Sequence, residues 1–531
     1  MNLVEMLKGV WNKMIGAKTI ESVLKITPTI SNEMKEAIEL WEQMYMNESP
    51  WLTENVKSLN LASLISSEKA RTATIEMEVK ITGESDMAKF MKDAFQKVEL
   101  KIREQLEYGI ALGGLVIKPY VTLGADGKYV MEFDYSKATD FYPFSFSQSG
   151  KVTEAAFIDR IITKDKVYAK LEYHKLEGNK VIVKNAAFEM SSDAYSTSNS
   201  FVSNELGTPI PLTEVSEWAE LEPVIEIPNM TNLLFAYFKM PEANTVDLQS
   251  PLGASGFSRA VSLIKEADEI YSDLLWEFEG SQLAVDIDRT AVNPMKNPDG
   301  TYKEILPKLQ DRLFRRTLDL GSDETYNVFS PTIRDASIIN GLNNQLMRIE
   351  DACALSRGTL SVVTESEART ATELKILKQR SFSANQDIQK ALQQSFEQLF
   401  VIMEQYCTLY NIVAPGEYEV AYKWDDSILV DKESERQQDL IEVKNGLMSK
   451  REYRMKWYGE TEKQAEESLK IIDDEKTSEL ERTQSVMMQY TNNGDDEKDS
   501  SAKSEAQAKT DKMKRANESN ETTTKDPKQE N

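Results

Sequence analysis

Residues Leu233–Glu279 read LLFAYFKMPEANTVDLQSPLGASGFSRAVSLIKEADEIYSDLLWEFE and contain the most informative pattern in the chain. The turn residues of PLGASG are followed by apolar residues that recur every three or four positions, which predicts an amphipathic helix over about 256–280. The acidic residues that fall largely off the apolar stripe are Glu266, Asp268, Glu269, Asp273, Glu277 and Glu279. The helix should therefore have one face for packing and an acidic face for solvent or for a partner.

The same periodicity predicts a second helix downstream, over about 334–356. Between the two helices lies a short mixed segment with the strand LAVDID, the turn NPDG, the basic run DRLFRR and the strand YNVFSPTI. A polar break then precedes the longest predicted helix, from about Ala368 to Tyr410. Its apolar and aromatic residues alternate four and three apart, which predicts a seam against another helix. The seam residues are Leu392, Phe396, Leu399, Met403, Tyr406 and Tyr410.

The rest of the chain alternates between helical and strand patterns. Residues 30–71 are mostly helical, and IEMEVKIT (Ile75–Thr82) alternates like a half-buried strand. Another helix follows, and short strands then alternate with turns from Leu115 to about Val224. Two further helices are predicted before residue 491, and the tail after them has too few apolar residues to fold alone. The predicted fold class is α+β, mainly helical, with a disordered tail.

Composition limits the classes of function. The 531 residues carry a net charge of −25, which argues against gripping a nucleic-acid backbone, since that requires clustered lysine and arginine. Acidic walls could still surround nucleic acid without binding it. Two cysteines without a CxxC motif indicate a reducing compartment. No apolar run is long enough for a membrane span. The amphipathic N-terminal arm lacks the pattern of a signal peptide, and it either packs on the protein or binds a membrane surface.

Motifs for catalysis are largely missing. The single histidine, His174, lies in the predicted strand LEYHKL, so a Ser-His-Asp triad, a Cys-His pair or a histidine-ligated metal would have to use it. GxxxxGK[ST] does not occur, which excludes a P-loop motor. Asp286 and Asp288 share one face of a predicted strand and could hold a divalent metal, or could belong to a solvated strand face. We therefore expect a non-enzymatic protein with no cofactor and no metal.

Five segments in the same order resemble the portal proteins of tailed bacteriophages, in the branch found in long-tailed phages of Gram-positive bacteria. They are GGLVIKPYV (Gly113–Val121), the F-Y-K-P-N-SPLG run within Leu233–Glu279, FSPTIR (Phe329–Arg334), RGTLS with TATEL (Arg357–Ser361, Thr370–Leu374) and SKREYRMKWYGETEKQAEESLKII (Ser449–Ile472). The resemblance extends over roughly residues 30–480. Five such segments in the right order are hard to produce by chance.

The resemblance implies a portal fold with an α/β wing, a stem of two long helices, a small mixed clip and a helical crown. The implied boundaries are 1–29 for the N-terminal arm, 30–252 for the wing, 253–282 for the first stem helix, 283–333 for the clip, 334–357 for the second stem helix, 358–369 for a tunnel loop, 370–412 for a long kinked wing helix, 413–490 for the wing end and crown, and 491–531 for the disordered tail. Two long helices that flank a small mixed segment fit a stem hairpin capped by a clip.

The resemblance also implies a function in the virion, at one vertex of the capsid, after assembly in the host cytoplasm. A ring of about twelve subunits would form the channel through which double-stranded DNA enters and leaves. The implied partners are further copies of the chain, the DNA, the terminase large subunit, head-completion or adaptor proteins, and scaffolding and major capsid proteins, but no membrane. Two other hypotheses remain open: a helical virion or assembly scaffold without a channel, and a nucleic-acid enzyme that uses Asp286 and Asp288.

Three groups of site residues follow from the resemblance. Acidic residues of the first stem helix would line the channel or only face solvent, namely Glu266, Glu269, Asp273 and Glu277. The tunnel loop and its helix junction would present charge to DNA, with Thr370 as N-cap and Glu373 as its capping-box partner. This second group is Thr364, Glu365, Ser366, Glu367, Arg369, Thr370, Thr372 and Glu373. The clip residues Arg312, Arg315 and Arg316 would form ion pairs between subunits, or contact the motor or DNA.

Overall fold

The computed structural model describes residues 18–492 apart from 125–126, 149, 193–194, 196–204, 283, 289–293, 297, 301, 305–313, 319–325, 363–370 and 425–431. The helices are α1 (Ile20–Leu24), α2 (Asn32–Tyr45), α3 (Leu61–Thr74), α4 (Asp86–Leu112), α5 (Val261–Gly280), α6 (Asp335–Ala352), α7 (Ala371–Leu409), α8 (Lys432–Lys444), α9 (Lys450–Tyr458) and α10 (Glu462–Asn492). The strands are β1 (Lys18–Thr19), β2 (Met77–Thr82), β3 (Gly114–Leu123), β4 (Tyr129–Lys137), β5 (Phe141–Phe146), β6 (Val152–Ile162), β7 (Lys166–Glu177), β8 (Lys180–Ser191), β9 (Glu205–Ile210), β10 (Val224–Pro228), β11 (Ala236–Lys239), β12 (Ala284–Asp288), β13 (Pro294–Lys296), β14 (Tyr302–Glu304), β15 (Phe314–Leu318), β16 (Tyr326–Phe329) and β17 (Glu419–Trp424). The predicted α+β class is confirmed.

Two antiparallel sheets occupy much of the first half of the chain. The large sheet has the strand order β1-β9-β8-β7-β6-β5, with β10 paired to β8, and the small sheet has the order β11-β3-β4. β7 and β8 form a long hairpin around a turn at Gly178, whose φ is 65°. Strand β2, predicted from the alternation of IEMEVKIT, pairs with β17 from a distant part of the chain. The strands predicted between residues 115 and 224 are confirmed.

An ionic cluster, the Glu172 cluster, joins the two sheets. Lys170, Glu172 and His174 alternate along β7, so they share one face, and Lys118 reaches them from β3 of the small sheet. The Oε1 of Glu172 lies 2.7 Å from His174 Nε2 and 3.7 Å from Lys118 Nζ. Its Oε2 lies 3.1 Å from Lys170 Nζ. Burial would raise the pKa of Glu172, but the charge of Lys118, the hydrogen bond with His174 and the charge of Lys170 outweigh burial and hold that pKa well below its usual range. The single histidine is thus a buried partner of a carboxylate.

Helix α7 packs on both helices and strands. Phe95 of α4 contacts Phe396 and Phe400, with ring centroids 5.0 and 4.9 Å away. α7 also packs along β11, β3 and α3. Of the predicted seam, the residues that are fully buried are Leu392, Phe396, Leu399 and Met403. The seam against a helix is confirmed, and the structure adds the strands beside it, while Tyr410 is 40% exposed.

The glycine-rich turn of PLGASG packs backbone against backbone at the end of α4. Gly113 follows α4 with a φ of 87°, a conformation that residues with a side chain rarely adopt. Its carbonyl oxygen accepts a hydrogen bond from the amide of Met240 at 3.0 Å, and the carbonyl of Ile110 accepts one from the amide of Gly256 at 2.8 Å. Gly253 lies so close to Gly113 that neither residue has room for a Cβ. The two glycines therefore fix the start of the stretch that leads into α5.

Because this turn is held by α4, α5 begins later than the sequence predicts. A short 3₁₀ turn, Ser258–Ala260, precedes it, and the α-helix itself begins at Val261 rather than near residue 256. α6 ends at Ala352 rather than near residue 356. The predicted existence of α5, α6 and α7 is confirmed, and the differences concern their ends.

Replacing Gly253 by alanine is expected to destabilise the protein by about 3 kcal/mol, because the new Cβ would overlap the carbonyl oxygen of Gly113, a backbone atom that cannot rotate away. Gly341→Ala is the control, because a Cβ at this exposed position of α6 meets no atom within 4 Å. Alanine should stabilise a helix there by about 1 kcal/mol. Urea unfolding of both variants measures the difference. An unchanged midpoint in Gly253→Ala would contradict the tight packing of the two glycines.

The segment between α5 and α6 forms small sheets of its own. β12 pairs in parallel with β15 and antiparallel with β16, and β13 and β14 form a hairpin. The predicted strands LAVDID and YNVFSPTI correspond to β12 and β16, whereas β15 begins inside the basic run and is not predicted by the sequence. Asp286 and Asp288 lie in β12, with side chains outside the described part.

A second compact unit begins after residue 430, and its described part consists of α8, α9 and α10. The buried side chains among those described in this unit are Asp439 and Ala465. Asp439 Oδ2 accepts hydrogen bonds from Trp457 Nε1 and Lys456 Nζ, both at 2.7 Å. Polar contacts therefore contribute much of the packing between α8 and α9. In the described parts of both units, no helix is long and apolar enough to cross a bilayer.

Candidate functional site

Helices α5 and α6 pack against each other and carry the acidic residues predicted for the site. Spacings of three and four residues align Glu266, Glu269, Asp273 and Glu277 along one stripe of α5. Glu269 and Asp273 are exposed, and Lys265 lies 4.0 Å from Glu269 on the same helix. Glu266 is also exposed but contacts α6, and Glu277 contacts Arg334 at the start of α6. The stripe therefore leaves Glu269 and Asp273 in solvent, without a hydrogen bond to the described residues of α6.

Two sets of contacts join the stripe to α6. Gln345 Nε2 donates to Glu266 Oε2 at 2.7 Å and to the carbonyl of Leu263 at 3.3 Å. Arg334 donates to Glu277 from Nη2 at 2.7 Å, from Nε at 3.1 Å and from its backbone amide at 3.0 Å. These bonds lower the pKa of Glu277, whose side chain is 11% exposed. We name this contact the Glu277–Arg334 clamp; the predicted role of Glu277 in a channel stays a prediction.

Asp268 is buried, so the prediction that it lies off the packing face is wrong. It is 1% exposed; its Oδ2 accepts a hydrogen bond from Trp51 Nε1 at 3.0 Å and its Oδ1 accepts one from the amide of Leu59 at 2.8 Å. One turn later, Ser272 Oγ accepts a hydrogen bond from the amide of Lys57 at 2.8 Å. Burial raises the pKa of Asp268, and the bonds from Leu59 and Trp51 offset part of that rise. The loop after α2 thus holds the first half of α5 in place.

The last turns of α5 carry large apolar side chains that the described residues leave uncovered. Leu275, Trp276 and Phe278 are 40%, 69% and 45% exposed. Leu275 and Phe278 continue the helix face that is buried at Ile264. Ile339 of α6 is 46% exposed. An apolar face of this kind is typical of a surface that another protein covers.

A buried carboxylate holds the residues that follow α6. Glu350 is 0% exposed, and its Oε1 accepts hydrogen bonds from the amides of Gly358, Leu360 and Ser361 at 3.1, 2.6 and 2.8 Å. Its Oε2 accepts one from Ser361 Oγ at 2.8 Å. Buried charges in proteins need such donors. We name this arrangement the Glu350 cradle. Its hydrogen-bond donors belong to the RGTLS motif of the sequence resemblance.

Further contacts continue as far as Val362. Asn343, two helical turns before Glu350, donates from Nδ2 to the Val362 carbonyl at 3.0 Å and accepts from the Val362 amide at 2.7 Å. The amide of Ser356 donates to Ser381 Oγ of α7 at 3.1 Å. The chain between α6 and Val362 is therefore fixed on α6 and tied to α7.

Most residues predicted for the tunnel loop and the clip site lie outside the described residues. These are Thr364, Glu365, Ser366, Glu367, Arg369, Thr370 and Arg312. Thr372 and Glu373 belong to α7, and Arg315 and Arg316 belong to β15, in each case without a described side chain. Their assigned roles, including the cap at Thr370, stay predictions.

A family model described as "Phage portal protein, SPP1 Gp6-like" matches residues 24–482 of the 531. The chain belongs to the phage portal protein family. Portal proteins are structural components of the phage rather than enzymes. Among curated proteins, the comparison found no match. The resemblance read from the five segments is thus confirmed.

Sequence reasoning missed the two portal residues that fix the segment after α6, Asn343 and Glu350. A signal for Glu350 is present, because it stands next to Ile349 in the apolar stripe of α6, where a carboxylate is unexpected unless it has buried partners. Among the described residues, no group of three or more potential ligands could hold a metal ion.

Proposed function

We propose that this portal protein assembles into a ring whose central channel passes double-stranded DNA at one vertex of a capsid, during packaging and ejection. The observation that carries the proposal is the pair of helices α5 and α6, which has an acidic stripe and an uncovered apolar end. The family match supports the portal role, and the helix pair supports the ring and its channel.

The apolar end of α5 supports assembly of several copies. Leu275, Trp276 and Phe278 would be covered if each copy contacted the next through different surfaces, and such heterologous contacts close into rings when the rotation fits. Tryptophan is among the residues that contribute most to interface affinity. From the family resemblance we expect about twelve subunits in the ring.

The exposed carboxylates support passage of DNA rather than binding. Glu269 and Asp273 would repel phosphate groups, and this would prevent tight contacts that stall movement of a duplex. Glu266 and Glu277 lie on the same stripe, where they also connect α5 to α6. The net charge of −25 agrees with a surface that DNA passes without adhering.

The remaining parts of the chain are assigned by the same proposal. Residues 283–333 would form the clip, where the terminase large subunit docks during packaging and head-completion proteins dock afterwards. The wing, residues 30–252, would contact scaffolding and major capsid proteins. Residues 358–369 would form the tunnel loop, with Glu365 and Glu367 toward DNA. The clip arginines Arg312, Arg315 and Arg316 would form ion pairs between subunits.

Electron microscopy of the purified full chain tests the proposal. Rings of about twelve subunits, with a hole wide enough for a DNA duplex, would support it. Monomers or filaments would favour a scaffold without a channel. Metal-dependent DNA cleavage that disappears in an Asp286→Asn, Asp288→Asn variant would favour an enzyme instead.

Trp276→Asp is expected to reduce ring formation by about tenfold or more, because it removes a large aromatic contact and puts a charge into the interface. Ile162→Asp is the control, because Ile162 is 63% exposed at the end of β6, outside the helix pair. Sedimentation of the purified variants over a range of concentrations measures the fraction in rings. Wild-type ring formation by Trp276→Asp would exclude Trp276 from the interface.

A further inference from the structure

We propose that Glu350 is a positioning residue that fixes where the chain enters residues 363–370, within the predicted tunnel loop. In this proposal Glu350 touches neither DNA nor the motor, and it acts through the segment from Gly358 to Val362. The expected effect on DNA packaging rests on the proposed function, whereas the effect on the segment is measured on the protein alone.

Glu350 holds this segment in one position because moving the segment away would leave the buried Glu350 carboxylate and the buried Ser361 without partners. Moving Gly358, Leu360 and Ser361 away would strip three amide donors from a carboxylate that is 0% exposed. A buried charge without donors is strongly unfavourable, and so is a buried amide without an acceptor. Three amides that converge on one oxygen also fix the curvature of the segment, and the Ser361 hydroxyl occupies the second oxygen.

The contact with Asn343 extends this control to the end of the segment. Asn343 and Glu350 are seven residues apart, about two turns, so they lie on the same side of α6. Asn343 binds both the amide and the carbonyl of Val362, the last described residue before 363–370. Any displacement of α6 therefore carries Val362 with it. In a ring, the start of the predicted tunnel loop would follow the second stem helix.

The neighbouring carboxylate, Asp351, provides a contrast within the same turn. It accepts hydrogen bonds from Arg357 at 2.8 Å and from Arg380 at 3.2 Å, but all three side chains are more than 40% exposed. Exposed ion pairs contribute little because water and salt screen them. Asp351→Asn is therefore the control for loss of a carboxylate that does not hold the segment.

Replacements of Glu350 separate the charge from the geometry. Glu350→Gln keeps one oxygen for the three amides, and its side-chain amide nitrogen can donate to the Ser361 hydroxyl. The segment should therefore keep its position. Glu350→Asp is shorter by one methylene and cannot reach the same donors. Glu350→Ala leaves the amides of Leu360 and Ser361 without their acceptor, while the Gly358 amide keeps only its longer bond to Ser361 Oγ, at 3.2 Å. Ser361→Ala removes one donor and is the mild variant, which gives the same test if Glu350→Ala does not fold.

Hydrogen exchange of the full chain, followed over residues 356–362 by mass spectrometry, is the first measurement. Exchange in Glu350→Ala and Glu350→Asp should be faster than in the wild type by about tenfold or more, with a smaller increase in Ser361→Ala. Glu350→Gln and Asp351→Asn should stay close to the wild type. Unchanged exchange in the folded Glu350→Asp and Ser361→Ala variants would overturn the role of Glu350 in holding the segment.

DNA packaging by assembled rings is the second measurement. Rings of Glu350→Asp should form normally but package several-fold less DNA, and Glu350→Gln should restore packaging. A role in stability alone would lower the yield of rings, without lowering the packaging of those that form. Normal packaging by rings whose 356–362 segment exchanges fast would overturn the positioning role. If the wild-type chain forms no ring, the proposed function fails, and the exchange measurement still decides whether Glu350 fixes the segment.

Discussion

Glu172→Gln is expected to destabilise the contact between the two sheets by about 2–3 kcal/mol, because it removes the anion that Lys118 and Lys170 share, while Asp134 and Asp159 remain to pair with them. Glutamine has a similar size, so the loss comes from charge rather than from a cavity. The side chains of Lys118 and Lys170 are only 9% and 12% exposed, so water compensates their charges poorly. Urea unfolding of the full chain, together with hydrogen exchange of the β7 amides, measures the loss.

The loss of stability caused by Glu172→Gln should depend on pH. Burial would raise the pKa of Glu172, but Lys118, the hydrogen bond with His174 and Lys170 hold it well below its usual range in the folded chain. In the unfolded chain a glutamate titrates at about 4.3. A lowered folded pKa adds stability above the unfolded value, and this stability is lost as the pH falls through the folded value. The difference between the wild type and Glu172→Gln should therefore be largest near neutral pH and shrink below about pH 4.

Glu226→Gln is the control, because its pair with Lys180 is exposed, with side chains 58% and 38% accessible. Such pairs contribute about 0–1 kcal/mol. Adding Lys118→Met to Glu172→Gln should recover part of the stability, since replacing both members of a buried pair has a small net effect. A loss in Glu172→Gln no larger than in the control would show that the Glu172 cluster does not join the sheets.

Changing Glu266, Glu269 and Asp273 to lysine is expected to slow DNA packaging by about tenfold or more without blocking ring assembly. Each change turns a carboxylate that repels phosphate into an ammonium group that binds it, and every subunit of the ring repeats the change. All three side chains are exposed, but Glu269 and Asp273 should account for most of the effect because Glu266 also accepts a hydrogen bond from Gln345. The packaging rate of variant rings with the same motor and capsid measures the effect.

Higher salt should restore part of the packaging rate, because screening weakens contacts between lysine and phosphate. A matched control reverses three exposed acids outside α5, namely Glu78, Glu177 and Glu226. This control changes the net charge equally and should package normally. Wild-type rates in the α5 variant would exclude the acidic stripe from the channel wall.

Local patterns in the sequence predict most of the elements but not their exact ends. The spacing of apolar residues gives α5, α6 and α7, and alternation gives the strands of the large sheet, because both depend on near neighbours. The start of α5 depends on the contact between Gly253 and Gly113, which are far apart in the chain. No local pattern contains that contact, so the sequence places the start too early.

In the candidate site too, local patterns predict the residues on one helix or strand but not the contacts that distant segments make with them. The stripe on α5 gives Glu269 and Asp273, but the loop that buries Asp268 comes from a separate segment. Alternation places Glu172 beside Lys170 and His174, while Lys118 arrives from the other sheet. The sequence places the Glu350 carboxylate in an apolar stripe. Its donors, the amides of Gly358 and Ser361, reach it only when the chain folds back over α6.

The Glu277–Arg334 clamp separates the packing of α5 and α6 from the length of the segment that connects them. Because the clamp joins the ends of α5 and α6 directly, the distance that an inserted segment must bridge is set by the helices and not by the insert. Closing a longer loop between fixed ends adds little entropy cost. The connecting segment could therefore change in length while the contact between α5 and α6 stays the same.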